Sequence, residues 1–235
     1  SGFYPYLVNT ILEGNADYYM DDFAYLNFQW FDEELIAVYK DSKYKNLPEL
    51  LEDIKVHPNT VKAAVVRGSG GHLMAKLLLV LYGIPLENLN LVTYNGGGKA
   101  RTAIAGGVVD FIVISANASE SIREYIRPLA IVSNEDELDW QAPAINKVLA
   151  PMGLSAPVLQ GSIRGCATSA KFKRDYPQRF ALLAEAMERT LQNPELQVLL
   201  KHASISAEWT GPIQSELLMK SNFEAFKKYP YLLKL

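Results

Sequence analysis

The chain has 235 residues, 49% hydrophobic and 21% charged, the balance of an ordinary globular protein and not of a disordered one. Its net charge is -3, with 23 basic and 26 acidic residues interspersed, so no field exists to hold a nucleic-acid backbone and nucleic acid is excluded as a partner. A single cysteine, Cys166, excludes an intrachain disulfide framework, His57, His72 and His202 have no metal-ligand spacing, and no apolar run reaches the length of a membrane span.

In chain order, "AYLNFQWFDEELIAVYKDS" reads as one or two strands rich in aromatic and β-branched residues, closed by a polar turn. "LPELLEDIKVHP" is a short helix with Pro48 in its first turn. The strand "TVKAAVVRG" follows, then the turn "GSGG" and the helix "HLMAKLLLVLYG", stopped by Gly83. "LNLVTY", "KARTAIAG", "VVDFIVIS", "ASESIREYI" and "RPLAIVS" continue the alternation, which predicts an α/β sheet with helices on its faces. After "APAINKVLAPMG" and the strand-like "PVLQGSIRGCAT", the tail turns helical around Phe180–Gln192, Glu195–His202 and Gln214–Lys228, with breaks at "NP" and "WTGP".

Two glycine turns each follow a strand and open a helix. Gly68, Ser69, Gly70, Gly71 and His72 form one; Tyr94, Asn95, Gly96, Gly97 and Gly98 form the other, with Lys99 and Thr102 in the next turn. Ligands of open α/β sheets sit beyond the carboxyl ends of strands, where helix amino termini offer unpaired N–H groups. "GSGGHL" has Leu73 where a dinucleotide fingerprint needs its third glycine, and neither turn ends in Gly-Lys-Ser/Thr. Nucleotides are therefore disfavoured, no cofactor is expected, and a small carboxylate fits better.

"GSGGHLMAKLL", then "VTYNGGGKARTAIAGGVVDFIV", then "RPLAIVS" together resemble the solute receptors of tripartite tricarboxylate transporters, the Bug-type extracytoplasmic binding proteins. "SIRGCATSAKFKRDYPQRF" resembles the return strand of that family, with Ile163 in place of an aromatic residue. The likeness runs from about Phe23 to Tyr229. It implies a two-lobed periplasmic-binding-protein fold of the second type, with crossings near Leu35–Tyr39 and Gly161–Ala167. Residues 1–35 and 166–235 would form one lobe and 36–165 the other. Relative to the family pattern, the front of the first lobe, including its Pro-Gly-Gly loop, is absent from the sequence. The resemblance therefore implies an apolar groove and unpaired strand edges, closed either by a separate N-terminal polypeptide or by a homodimer. With Ser1 in place of an initiator Met, the chain reads as a processed form with its signal peptide removed, or as a fragment.

The expected function is a non-catalytic receptor on the periplasmic or extracellular side of the cell membrane, closing around a small organic carboxylate and docking to membrane transporter subunits. The expected ligand-binding residues are Ser69, Gly70, Gly71, His72, Tyr94, Asn95, Gly96, Gly97, Gly98, Lys99, Ser115 and Arg164. Of these, Lys99 is a countercharge for a second carboxylate, and Arg164 a bidentate donor on a strand that crosses the lobes. Gly106 and Gly107 read as a helix stop, Asp110 as a turn cap and Cys166 as a small buried hydrophobe. The rival reading is the effector-binding domain of a transcription regulator, which shares the fold type, although no helix-turn-helix segment accompanies it. An enzyme is third, since no nucleophile, base and orienting acid assemble from the spacing.

Overall fold

The computed structural model describes residues 2–14, 16–202 and 205–232. Within it the chain separates into two units, Ser1–Phe31 with Ser162–Pro230, and Asp32–Gly161 with Tyr231–Leu235. Their boundaries fall at Phe31/Asp32 and Gly161/Ser162, beside lobe boundaries expected at 35/36 and 165/166.

The second unit is built on a five-stranded sheet of order β5-β4-β6-β3-β7. Its strands are β3 (Glu34–Tyr39), β4 (Lys62–Val66), β5 (Asn90–Tyr94), β6 (Phe111–Ser115) and β7 (Ile126–Ile131). β4 runs parallel to β5 and β6, whereas β3 is antiparallel to both β6 and β7. Four helices accompany them: α2 (Leu47–Val56), α3 (Gly70–Tyr82), α4 (Gly97–Ala105) and the single turn α5 (Ile145–Leu149). "ASESIREYI" forms a 3₁₀ helix over Asn117–Tyr125. Asn46 caps α2 by accepting from the Glu49 N–H, and Gly83, at φ 69°, ends α3 in the left-handed region that a side chain resists.

Strand periodicity assigns the faces of the sheet. Leu35, Ala37, Ala64, Val66, Ile112 and Ile114 pack with Ala100, Ala103 and Ile104 of α4. The alternate residues Ile36, Val38, Ala63, Val65 and Val113 are fully buried on the other face, against which α3 lies. With both faces covered, the strands read as nearly continuous apolar runs. Asp110, expected to cap a turn, accepts the Lys62 N–H at 2.7 Å where β4 begins, and Gly107 ends α4 at φ 66°.

The first unit holds a three-stranded sheet of order β1-β8-β2, formed by β1 (Gly2–Tyr4), β2 (Phe23–Asp32) and β8 (Ser162–Ser169). Its helices are α1 (Tyr6–Leu12), α6 (Ala170–Asp175), α7 (Pro177–Leu191), α8 (Pro194–His202) and α9 (Gly211–Phe226). Ala24 and Leu26 pack on Phe180 and Ala184 of α7, and Tyr4 meets Phe226 edge to face at 5.5 Å. β2 is an outer strand, yet its free edge is not bare. The Glu208 N–H donates to the Gln29 carbonyl at 3.3 Å, the Thr210 hydroxyl to the Phe28 carbonyl, and the Phe28 N–H to Ser215 Oγ at 3.0 Å. Residues 208–215 thus cover an edge that would otherwise offer a row of backbone groups.

Two sequence expectations change here. "PVLQGSIRGCAT" is strand only from Ser162, and Cys166, expected to be buried, is exposed. The cause is the pleat: Ile163 and Gly165 face inward, which turns Arg164 and Cys166 outward together.

Candidate functional site

Three strands of the second unit end at one edge of its sheet: β4 at Val66, β5 at Tyr94 and β6 at Ser115. β3 runs the other way and begins there, with Glu34 paired to Ser115. Ser69, Gly70, Gly71, His72, Tyr94, Asn95, Gly96, Gly97, Gly98, Lys99 and Ser115 therefore gather at that edge. The two turns are tied by the Arg67 N–H, which donates to the Tyr94 carbonyl at 3.0 Å.

The first glycine turn is satisfied from inside the chain. The Gly68 N–H donates to His72 Nδ1 at 3.2 Å, the Ser69 N–H to the Val66 carbonyl at 3.1 Å and the His72 N–H to Ser69 Oγ at 3.0 Å. The Glu34 carboxyl lies against Gly71, with Oε2 3.1 Å from where a Cβ of that glycine would stand. A Cβ on Gly71 would stand 2.1 Å from the Val113 carbonyl oxygen, so glycine is required there by packing. Glu34 is 4% exposed, and its Oε2 has no hydrogen-bond partner among the described residues. Burial and then the negative charge of Asp32 push the Glu34 carboxyl up to about 8, against the pull of the Gly71 N–H and Arg101.

His72 is also buried, and Nδ1, by accepting the Gly68 N–H, leaves the proton of the neutral ring on Nε2. Nε2 has no hydrogen-bond partner among the described residues. Burial, followed by the charges of Lys76 and Arg67, lowers its pKa to about 4, so the ring stays neutral at physiological pH. Asp32 is buried as well; its Oδ1 accepts the Asn117 N–H at 3.0 Å where the 3₁₀ helix starts.

The second glycine turn is open. Gly96 enters α4 in extended conformation and no side chain caps the helix, which leaves the first-turn N–H groups of Gly97, Gly98 and Lys99 without intrahelical acceptors. Gly96 and Gly98 have nothing within 4 Å of where a Cβ would be. Over Gly97 lies the guanidinium of Arg101, with Nη1 2.6 Å from the position a Cβ would take. Arg101 is held there by a relay: Nε donates to Ser119 Oγ at 2.9 Å, and that hydroxyl donates to the Ser115 carbonyl at 2.7 Å. A fixed cation beside bare helix-terminal amides is an anion-binding arrangement. Lys99 and Asn95 are exposed, Tyr94 packs on the core, and Ser115 contributes its carbonyl.

Arg164 belongs to the first unit, on β8, where its guanidinium stacks on the Trp30 ring at 4.8 Å and is exposed. Arg101, Asp32 and Glu34 were not singled out from sequence. Arg101 could have been, because a side chain four residues into a helix leans back over the first turn.

No family model and no curated protein matches the sequence. Solved structures do match. A TctC solute-binding protein from Polaromonas is 18% identical with a TM-score of 0.70, over 95% of this chain and 74% of that one. MatC from Rhodopseudomonas palustris, with bound malate, is 17% identical with a TM-score of 0.73, over 97% and 75%. An R. palustris protein with adipate is 18% identical with a TM-score of 0.70, over 90% and 69%. The fold of this chain is that of the TctC/Bug solute-binding proteins of tripartite tricarboxylate transporters.

Proposed function

We propose that this chain is a non-catalytic solute receptor of the periplasmic or extracellular face, capturing a small organic carboxylate for a membrane transporter. The observation that carries the reading is the open amino terminus of α4, with Arg101 anchored over Gly97 by Ser119. One carboxylate oxygen would take the Gly97 and Gly98 N–H groups and the other the guanidinium, a set of charge-assisted donors already in place before the ligand arrives. The carboxylates in two of the similar structures, malate and adipate, are of the expected class.

Two variants and a ligand panel test it. Organic acids, aliphatic and aromatic, should raise the melting temperature by mass action on the folded state, and neutral sugars should not. Arg101→Met should weaken binding roughly 10- to 100-fold, the loss of a charge-assisted bond of about 1.5–3 kcal/mol. Gly97→Val should do at least as much by displacing the guanidinium, while leaving the fold in place because the atom it would crowd most, Arg101 Nη1, is the end of a side chain and not backbone. Stabilisation by uncharged solutes alone, or full affinity in both variants, rules out this site.

A further inference from the structure

We propose that Glu34 stands in for a ligand carboxylate at the amino terminus of α3, so that this site accepts ligands with a single carboxylate group, held at α4. The proposal rests on the carboxylate-receptor reading above and narrows its substrate class. Two similar glycine turns at one sheet edge would ordinarily offer two anion cradles, one for each end of a diacid. Here they differ. At α3 the N–H groups of Gly68, Ser69 and His72 have acceptors within the chain, and a carboxyl group of the chain itself, that of Glu34, lies against Gly70 and Gly71.

The space over Gly70 is equally closed to an anion. Around the position of a Gly70 Cβ lie Glu34 Oε1 at 2.9 Å, the Gly161 carbonyl oxygen at 3.4 Å and the Gln160 carbonyl oxygen at 3.5 Å. The three atoms nearest that spot are all oxygens, so a second carboxylate brought there meets two backbone carbonyls and the Glu34 side chain in place of an open cradle of N–H groups. Glu34 Oε2, 3.1 Å from where Gly71 would carry a Cβ, fills the other side of the turn. Lys99 does not compensate: it is exposed, and an exposed ion pair contributes little against the hydration a second carboxylate would surrender. A ligand with one carboxylate and an uncharged remainder satisfies α4 and asks nothing of α3.

The test uses chain-length-matched acids on the intact protein: butyrate against succinate, and hexanoate against adipate, by isothermal titration. In the wild type each monoacid should bind at least tenfold tighter than its diacid. Glu34→Ala, which empties the space beside Gly70 and Gly71, should shrink that ratio about tenfold. Glu34→Gln, which keeps that space filled by a side chain of the same size, should keep the wild-type ratio. Diacids that bind the unmodified protein as tightly as their monoacids overturn the proposal and leave the carboxylate reading standing, and this comparison needs no variant to fold. A preference that is the same in Glu34→Ala as in wild type also overturns it. If no acid of the wider panel binds at all, the receptor reading itself falls, and this one with it.

Discussion

Replacing Glu34 with Gln should reshape the pH profile of stability, with wild type losing stability between about pH 6.5 and 8 and the variant losing none. Glu34 holds its proton to about 8 in the fold, against 4.5 ordinarily, because it is buried and faces the charge of Asp32. Its folded pKa is raised, so its contribution is complete below 4.5 and declines as pH climbs to 8, at about 1.4 kcal/mol per pH unit. His72 acts with the opposite sign. Burial and the charges of Lys76 and Arg67 lower it from 6.5 to about 4, so the unfolded chain binds the extra proton between those values and stability rises with pH across them. The two slopes oppose each other up to about pH 6.5, where the wild-type profile should be nearly flat. Above that, the Glu34 slope stands without the opposing His72 slope. In Glu34→Gln the His72 slope remains alone: stability should rise to about pH 6.5 and then level off. Between pH 4.5 and 8 the two proteins should diverge by on the order of 4 kcal/mol, read as urea midpoints at about one-unit pH intervals. Parallel profiles would mean that Glu34 is ionised in the folded protein.

What was legible in the sequence is what local rules control. The strands Lys62–Val66 and Phe111–Ser115 and the helices behind each glycine turn follow from periodicity and from residues adjacent in the chain: Ser69 as cap, Gly83 as stop. Both glycine turns look alike at that level, and their difference is set elsewhere. Glu34 reaches the first turn only because β3 enters the sheet antiparallel beside β6, with a register that points Glu34, Ile36 and Val38 away from α4. In "DEEL" the same residue reads as one more surface acid. Arg101 reads as the polar face of a short helix, and its anchoring by Ser119 depends on a 3₁₀ segment packed against α4. Cys166 fails for a related reason. Its exposure follows from the parity of β8, which it shares with Arg164 two residues earlier; in the sequence Arg164 reads as a ligand donor and not as the strand's outward-facing charge.

Asn27→Leu should cost the first unit on the order of 3–9 kcal/mol, although the change swaps one buried side chain for another of similar size. Asn27 is fully buried on β2, where its Oδ1 accepts the N–H groups of Thr210 at 2.7 Å and Gly211 at 2.9 Å, and its Nδ2 donates to the Glu208 carbonyl at 2.9 Å. One amide side chain thus does for residues 208–211 what a neighbouring strand would do. Leucine would leave three backbone groups without their partners, each worth about 1–3 kcal/mol when buried unsatisfied. On the opposite edge β8 packs so tightly that a Cβ on Gly165 would stand 2.0 Å from the Asn27 carbonyl oxygen, so β2 cannot shift to compensate. Ser215→Ala, which removes the acceptor for a single N–H, that of Phe28, should cost only about 1 kcal/mol. Urea unfolding of both variants measures the difference. Once residues 208–211 detach, the long edge of β2 is free to pair with another chain, so Asn27→Leu should also show concentration-dependent association by light scattering. A loss below about 1 kcal/mol with no association would mean that β2's edge is held by something other than the Asn27 bonds.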